Sequence, residues 1–158
     1  AVGTIFGDIL DGLDEIVLSD QKIYTSWMYD LSRKINTTES LYLKVGAIHG
    51  TVLCKGNNPV CYMEDVGRHN AVDKIAGWML LENISPQDKI LYTTGRLTSE
   101  MVIKAAQMGI SILISRSGFT AWGVQLAKEL NMTLVGRLRG KRFNCLSGTH
   151  RLIFDTDS

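Results

Sequence analysis

Residues 89–114, KILYTTGRLTSEMVIKAAQMGISILI, carry the architecture in miniature. An apolar run over 89–93 is short enough for a buried strand, and the polar turn Thr94-Gly95-Arg96 ends it. From Thr98 onward, Met101, Val102, Ala105 and Ala106 fall on one helical face, Gly109 stops that helix, and 110–114 is apolar again. Strand, helix and strand in so few residues imply a crossover. The two strands are then parallel, and the helix packs on the sheet.

The same unit recurs downstream. Thr120 is a candidate N-cap; Ala121, Val124, Ala127 and Leu130 share one face; residues 132–136 form the next strand. Two shorter strands follow over 142–146 and 152–154. Upstream, Val72, Ile75, Ala76, Met79 and Leu80 make a stripe on a helix that ends near Asn83-Ile84-Ser85-Pro86. Before it, residues 41–53 alternate as a strand and turn at Gly56-Asn57-Asn58-Pro59 into a second strand over 60–63, a hairpin. An amphipathic helix over 20–35 carries Tyr24, Trp27, Met28, Leu31 and Ile35 inward. The prediction is a single domain over 1–158, a three-layer α/β/α sandwich with helices on both faces of the sheet.

Composition agrees with one well-cored domain: 158 residues, 45% hydrophobic and 21% charged. No apolar run approaches the roughly 20 residues of a membrane span, so no membrane partner is expected. The chain meets Asp8 before any base, which is not the order of a secretory signal. The net charge of +1 conceals an asymmetry. Residues 1–40 carry seven acids against three bases, and 96–142 carry eight bases against two acids. A basic C-terminal half points to an anionic ligand. Four phenylalanines and near-neutral total charge argue against an extended nucleic-acid platform. Cys54, Cys61 and Cys145 form neither a disulfide framework nor a zinc knuckle, which fits a reducing, cytoplasmic setting.

Five segments are too polar or glycine-rich for their places. His49 sits between small residues in Gly46-Ala47-Ile48-His49-Gly50. Gly67, Arg68, His69 and Asn70 stand where a strand feeds a helix, and helix N-termini at strand ends offer N–H groups to anions. Thr94, Gly95 and Arg96 repeat that form, as do Ser115, Arg116 and Ser117. The second of these turns lacks the lysine and second glycine of a P-loop, so P-loop hydrolysis is not supported. Last, four bases fall within 137–142, and Arg139, Gly140, Lys141, Arg142, Phe143 and Asn144 offer guanidinium forks, an amide and a ring that could stack. Three arginine-bearing turns at successive strand-to-helix junctions would share one sheet edge, a site for a phosphorylated ligand.

The runs EDVGRHNAVDKIAG (64–77), TTGRLTSEMVIKAAQMGI (93–110) and SRSGFTAWGVQLAKELNMTLVGRLRGKRFN (115–144) closely resemble the formate dehydrogenase accessory protein family, FdhD. The resemblance covers about 40–155. It implies a cytidine-deaminase-like sheet, a homodimer, and a part in passing sulfur from a cysteine desulfurase to the molybdenum bis-guanine-dinucleotide cofactor of formate dehydrogenase. On this basis residues 1–19 are expected to be a remnant of an interdomain loop, 20–35 a helix and 41–155 the core of the family's C-terminal domain.

The family's persulfide-carrying Cys-x-x-Cys-Gly loop aligns with Gly3-Thr4-Ile5-Phe6-Gly7. Gly3 and Phe6 stand where the cysteines belong, and neither can hold a persulfide. Three alternatives follow: a chain that only holds the cofactor, a sulfurtransferase working through Cys54, Cys61 or Cys145, or a docking module using the acidic Asp8, Asp11, Asp14 and Asp20. A zinc deaminase is not expected, because H-x-E and P-C-x-x-C are missing and His49 is followed by Gly50 and Thr51. No metal ligands are assigned.

Overall fold

The computed structural model of the protein describes residues 12–13, 15–37 and 49–155. Strands β2 (His49–Lys55) and β3 (Asn58–Asp65) form the hairpin, turning through Gly56 in the left-handed region at φ 59°. Pro59 lies inside β3, which a sheet tolerates because β3 is an edge strand. Helix α2 (Arg68–Glu82) leads to β4 (Lys89–Thr93), α3 (Ser99–Gln107), β5 (Ile112–Ser115), α4 (Ala121–Glu129), β6 (Thr133–Arg139) and β7 (Arg142–Ser147). The strands form one six-stranded sheet in the order β3-β2-β4-β5-β6-β7. The three strands β4, β5 and β6 are parallel, and β2 and β7 run against their neighbours.

Register explains the two cores. Leu53, Leu91, Leu113 and Leu134 are successive partners across β2, β4, β5 and β6, a buried row on one face. Val72 and Ile75 of α2, Met101 and Val102 of α3, and Leu126 of α4 close over it. On the other face, Val52, Tyr92, Ile114 and Val135 make the matching row. Met28, Leu31 and Ile35 of helix α1 (Thr25–Thr37) cover it. Each such side chain contributes about 1.5–3 kcal/mol by leaving water. Strands buried on both faces must read as near-continuous apolar runs, which is why 90–92 and 112–114 do.

The three layers match the sequence expectation, with three helices on one face and α1 on the other among the described residues. Boundaries differ in places. The first helix starts at Thr25 rather than at 20, because Ile23–Tyr24 (β1) is extended and pairs in parallel with Leu152–Ile153 (β8). The 152–154 strand therefore leaves the main sheet for a two-stranded one of its own. Arg151, fully buried, fastens this corner: Nε donates to Ser19 O (2.9 Å) and Nη1 to Asn131 O (2.6 Å). Asp155 accepts from Ser26 N (3.0 Å) and Ser26 Oγ (2.6 Å), so α1 is capped by a residue about 130 positions away. The expected strand over 41–53 is described only from His49. No described helix is long and apolar enough to cross a membrane.

Candidate functional site

Strands β3 and β4 both run against β2, so their C-terminal ends emerge on the same side of the sheet, together with those of β5 and β6. The three arginine-bearing turns therefore meet along one edge. At the first, Asp65 Oδ1 accepts from Gly67 N (3.0 Å) and Asn70 Nδ2 (3.4 Å), and Oδ2 pairs with Lys74 Nζ (3.0 Å). The Gly67 N–H and the Lys74 ammonium hold the Asp65 carboxyl down at about 2. Gly67 is the N-cap of α2, and its cap has no side-chain bond.

The hydroxyls predicted to meet a ligand are used in joining the turns. Ser115 Oγ donates to Gly95 O (2.6 Å) and accepts from Ser117 N (2.9 Å), while Ser117 Oγ donates to Thr94 O (2.6 Å). Thr94 Oγ1 accepts from Gly50 N (2.9 Å), and Thr94 N donates back to Gly50 O (3.0 Å). Gly118 O accepts from Leu97 N (3.0 Å). The edge is thus a seam whose hydroxyls are spent on backbone partners of the neighbouring turns.

Arg68 lies across Gly95, where a β-carbon would come within 2.8 Å of it. Its Nε is buried without a hydrogen-bond partner among the described residues, as are His69 Nδ1 and Glu64 Oε1. His69 Nε2 faces Glu100 Oε2 at 3.2 Å. Burial, with the Arg68 and Lys104 charges, pulls the His69 pKa below its usual value, so the ring is neutral at pH 7. Arg96 is exposed, and Arg139 Nε reaches Arg116 O (3.4 Å). Burial first, then the Arg139 charge, lowers the Arg116 pKa, the mark of two guanidiniums close together.

Gly140 and Lys141 turn at the tip of the β6–β7 hairpin, where Arg139 pairs with Arg142. Arg142, Phe143 and Asn144 line a groove beside Tyr29 and Phe154. Arg137 stands between the two regions, with Cζ 5.3 Å from the Phe119 ring centre and a left-handed backbone at φ 53°. The sequence analysis counted Arg137 only as one of four bases and did not name Tyr29, Phe154 or Glu100, which no local pattern marks.

His49 is paired with Asp65 in β2, but its side chain lies outside the described residues, as do Gly3, Phe6, Asp8, Asp11 and Asp14. Cys54 is buried, which pushes its thiol up to about 12. Burial also raises Cys61 and Cys145, and Cys145 Sγ donates to Ser147 O (3.4 Å). None of the three is a thiolate at neutral pH. Among the described residues no group of three or more His, Cys, Asp or Glu side chains is placed to hold a metal ion.

The FdhD/NarQ family profile matches residues 2–153. The chain is similar to the sulfur carrier protein FdhD of Listeria monocytogenes, 36% identical over 131 residues, which is 83% of this chain and 50% of that protein. It is 40% identical over 122 residues to the protein of that name from Bacillus pumilus, covering 77% of this chain and 47% of the relative. It spans about half the length of the curated relatives it matches. Among solved structures, a formate dehydrogenase accessory protein from Desulfotalea psychrophila superposes with a TM-score of 0.82 at 37% identity, over 89% of this chain and 61% of that one.

Proposed function

Because the chain belongs to the FdhD/NarQ family, we propose that it is an accessory module of formate dehydrogenase maturation that holds a nucleotide end of the molybdenum bis-guanine-dinucleotide cofactor at the turn edge. The observation that supports this most is the orphaned donor Arg68 Nε, beside Gly95 and within a row of arginines. A pyrophosphate oxygen would satisfy that donor, and a guanidinium fork suits it better than a lysine would. Arg96, Arg116 and Arg139 add positive charge along the same seam. When bound, the cofactor supplies the molybdenum centre at which sulfur is received. The chain's own residues bind and orient the anionic end.

The relatives are named as sulfur carriers, and assistance of cofactor sulfuration belongs to the proposal. The raised thiols of Cys54, Cys61 and Cys145 do not favour those three as carriers, which makes holding the cofactor the better-supported role. Formate dehydrogenase and a cysteine desulfurase are the partners this role calls for, with a homodimer as the working assembly. Sedimentation velocity and co-purification test those points.

Titration calorimetry with GDP tests the binding reading directly. Arg68→Ala and Arg116→Ala should each weaken GDP by about tenfold or more, the worth of one charge-assisted hydrogen bond. No heat of GDP binding to the intact chain would overturn it.

A further inference from the structure

Bases of the β6–β7 hairpin also line a second concave surface beside α1. Two cavities of about 490 and 560 Å³ lie side by side along the outer face of α1 and share Tyr29 and Lys141. Together they exceed the roughly 1,000 Å³ upper end of small-molecule sites, and their form is a trough rather than a pit. One wall is aromatic. Phe143 stacks on Phe154 at 6.4 Å and 25°, and Tyr29 lies 6.2 Å from Phe143. Phe154 remains 67% exposed, a large apolar ring left facing water.

The other side is cationic. Arg137, Lys141 and Arg142 have no carboxylate within ion-pair distance among the described residues. Asp30, the one carboxylate on the lining among the described residues, is already engaged by Arg33 and by Lys34 (2.8 Å). The trough therefore combines unneutralised positive charge with exposed rings. Charge of one sign steers a partner of the other, and aromatic anchors supply most of the energy of small interfaces.

We propose that this trough is the docking surface for an extended acidic peptide segment, bearing an aromatic residue, that a partner protein supplies. The segment's carboxylates pair with Arg137, Lys141 and Arg142, while its ring packs on Phe154 and Phe143. The anionic cofactor is the competing occupant, and displacement by GDP is the outcome that would assign the trough to it.

Fluorescence anisotropy with the intact chain tests this, using a fluorescein-labelled peptide of alternating glutamate and tyrosine. The peptide should bind, and bind less tightly as salt is raised. Phe154→Ala and Lys141→Glu should each weaken it about tenfold. Arg68→Ala, at the turn edge, should leave it unchanged. A peptide of glutamate and serine should bind about tenfold more weakly, and one of lysine and tyrosine not at all. Absence of binding, equal binding of the lysine peptide, or full displacement by GDP would each overturn the proposal. Lys141 is exposed at a hairpin tip, so its variant keeps the test decisive should Phe154→Ala fail to fold.

Discussion

The Arg68 side chain crosses Gly95 so closely that a methyl group there would come within 2.8 Å of Arg68 Cβ and 2.9 Å of its Cδ. The glycine is what lets the first and second turns share one edge.

Gly95→Ala should therefore cost about 1–3 kcal/mol of stability, the range for overpacking, since the nearest atom is at the rigid base of the arginine. Its larger effect should be on the ligand. We expect GDP binding to fall at least as far as in Arg68→Ala, read by calorimetry on protein that still gives a cooperative melt. Wild-type affinity in the alanine variant would show that Arg68 is free to bind from another position.

Two helical glycines should behave oppositely. A β-carbon on Gly123 would lie 2.5 Å from Leu97 O, the backbone that Thr120 N also uses (3.1 Å), whereas nothing lies within 4 Å of one on Gly77. Gly123→Ala should destabilise by about 1–3 kcal/mol. Gly77→Ala should stabilise by about 0.5–1 kcal/mol through helix propensity. Urea denaturation of the two variants settles the contrast.

Asp155 gives the fold an acid limb. Bonds from the Ser26 hydroxyl, then from its backbone N–H, hold the carboxyl below the ordinary carboxylate range. A folded value below the unfolded one, about 3.9, means the unfolded chain takes up the proton first. The stabilisation is whole above that pH and is lost as pH falls through the folded value. Denaturation midpoints measured between neutral pH and pH 3 should drop more steeply for the wild type than for Asp155→Asn. Parallel slopes would remove Asp155 from the cap.

Thiol chemistry should be slow. Native protein treated with iodoacetamide at pH 7 should leave Cys54 unlabelled and label Cys61 and Cys145 more slowly than free cysteine, because burial raises all three. Rapid labelling of any of them, followed by mass spectrometry, would restore it as a candidate sulfur carrier.

The layers were legible because strands buried on both faces cannot hide: ILYT and ILIS have no polar alternation, and the helices between them show their stripes. The meeting of the turns was legible for the same reason, since crossovers put strand ends on one edge. The roles within that edge were not. Whether Ser115 Oγ faces a ligand or Gly95 O depends on a neighbouring strand, and sequence carries no such distance. The start of α1 was hidden as well, because its cap comes from Asp155 and its preceding residues pair with Leu152 and Ile153. The groove was not legible either, because Tyr29 and Phe154, far from the basic segment in sequence, line it together with Arg142 and Phe143.

The corner where Ile23 pairs with Leu152, Arg151 with Ser19 and Asp155 with Ser26 joins segments 129 to 132 residues apart. During synthesis the strand that α1 needs beside it leaves the ribosome after all six strands of the main sheet. The sheet and the helices α2 to α4 can assemble from local contacts, but the α1 layer waits for loop closure across most of the chain. The turn edge thus matures before the aromatic trough, whose Phe154 lies beyond that last strand.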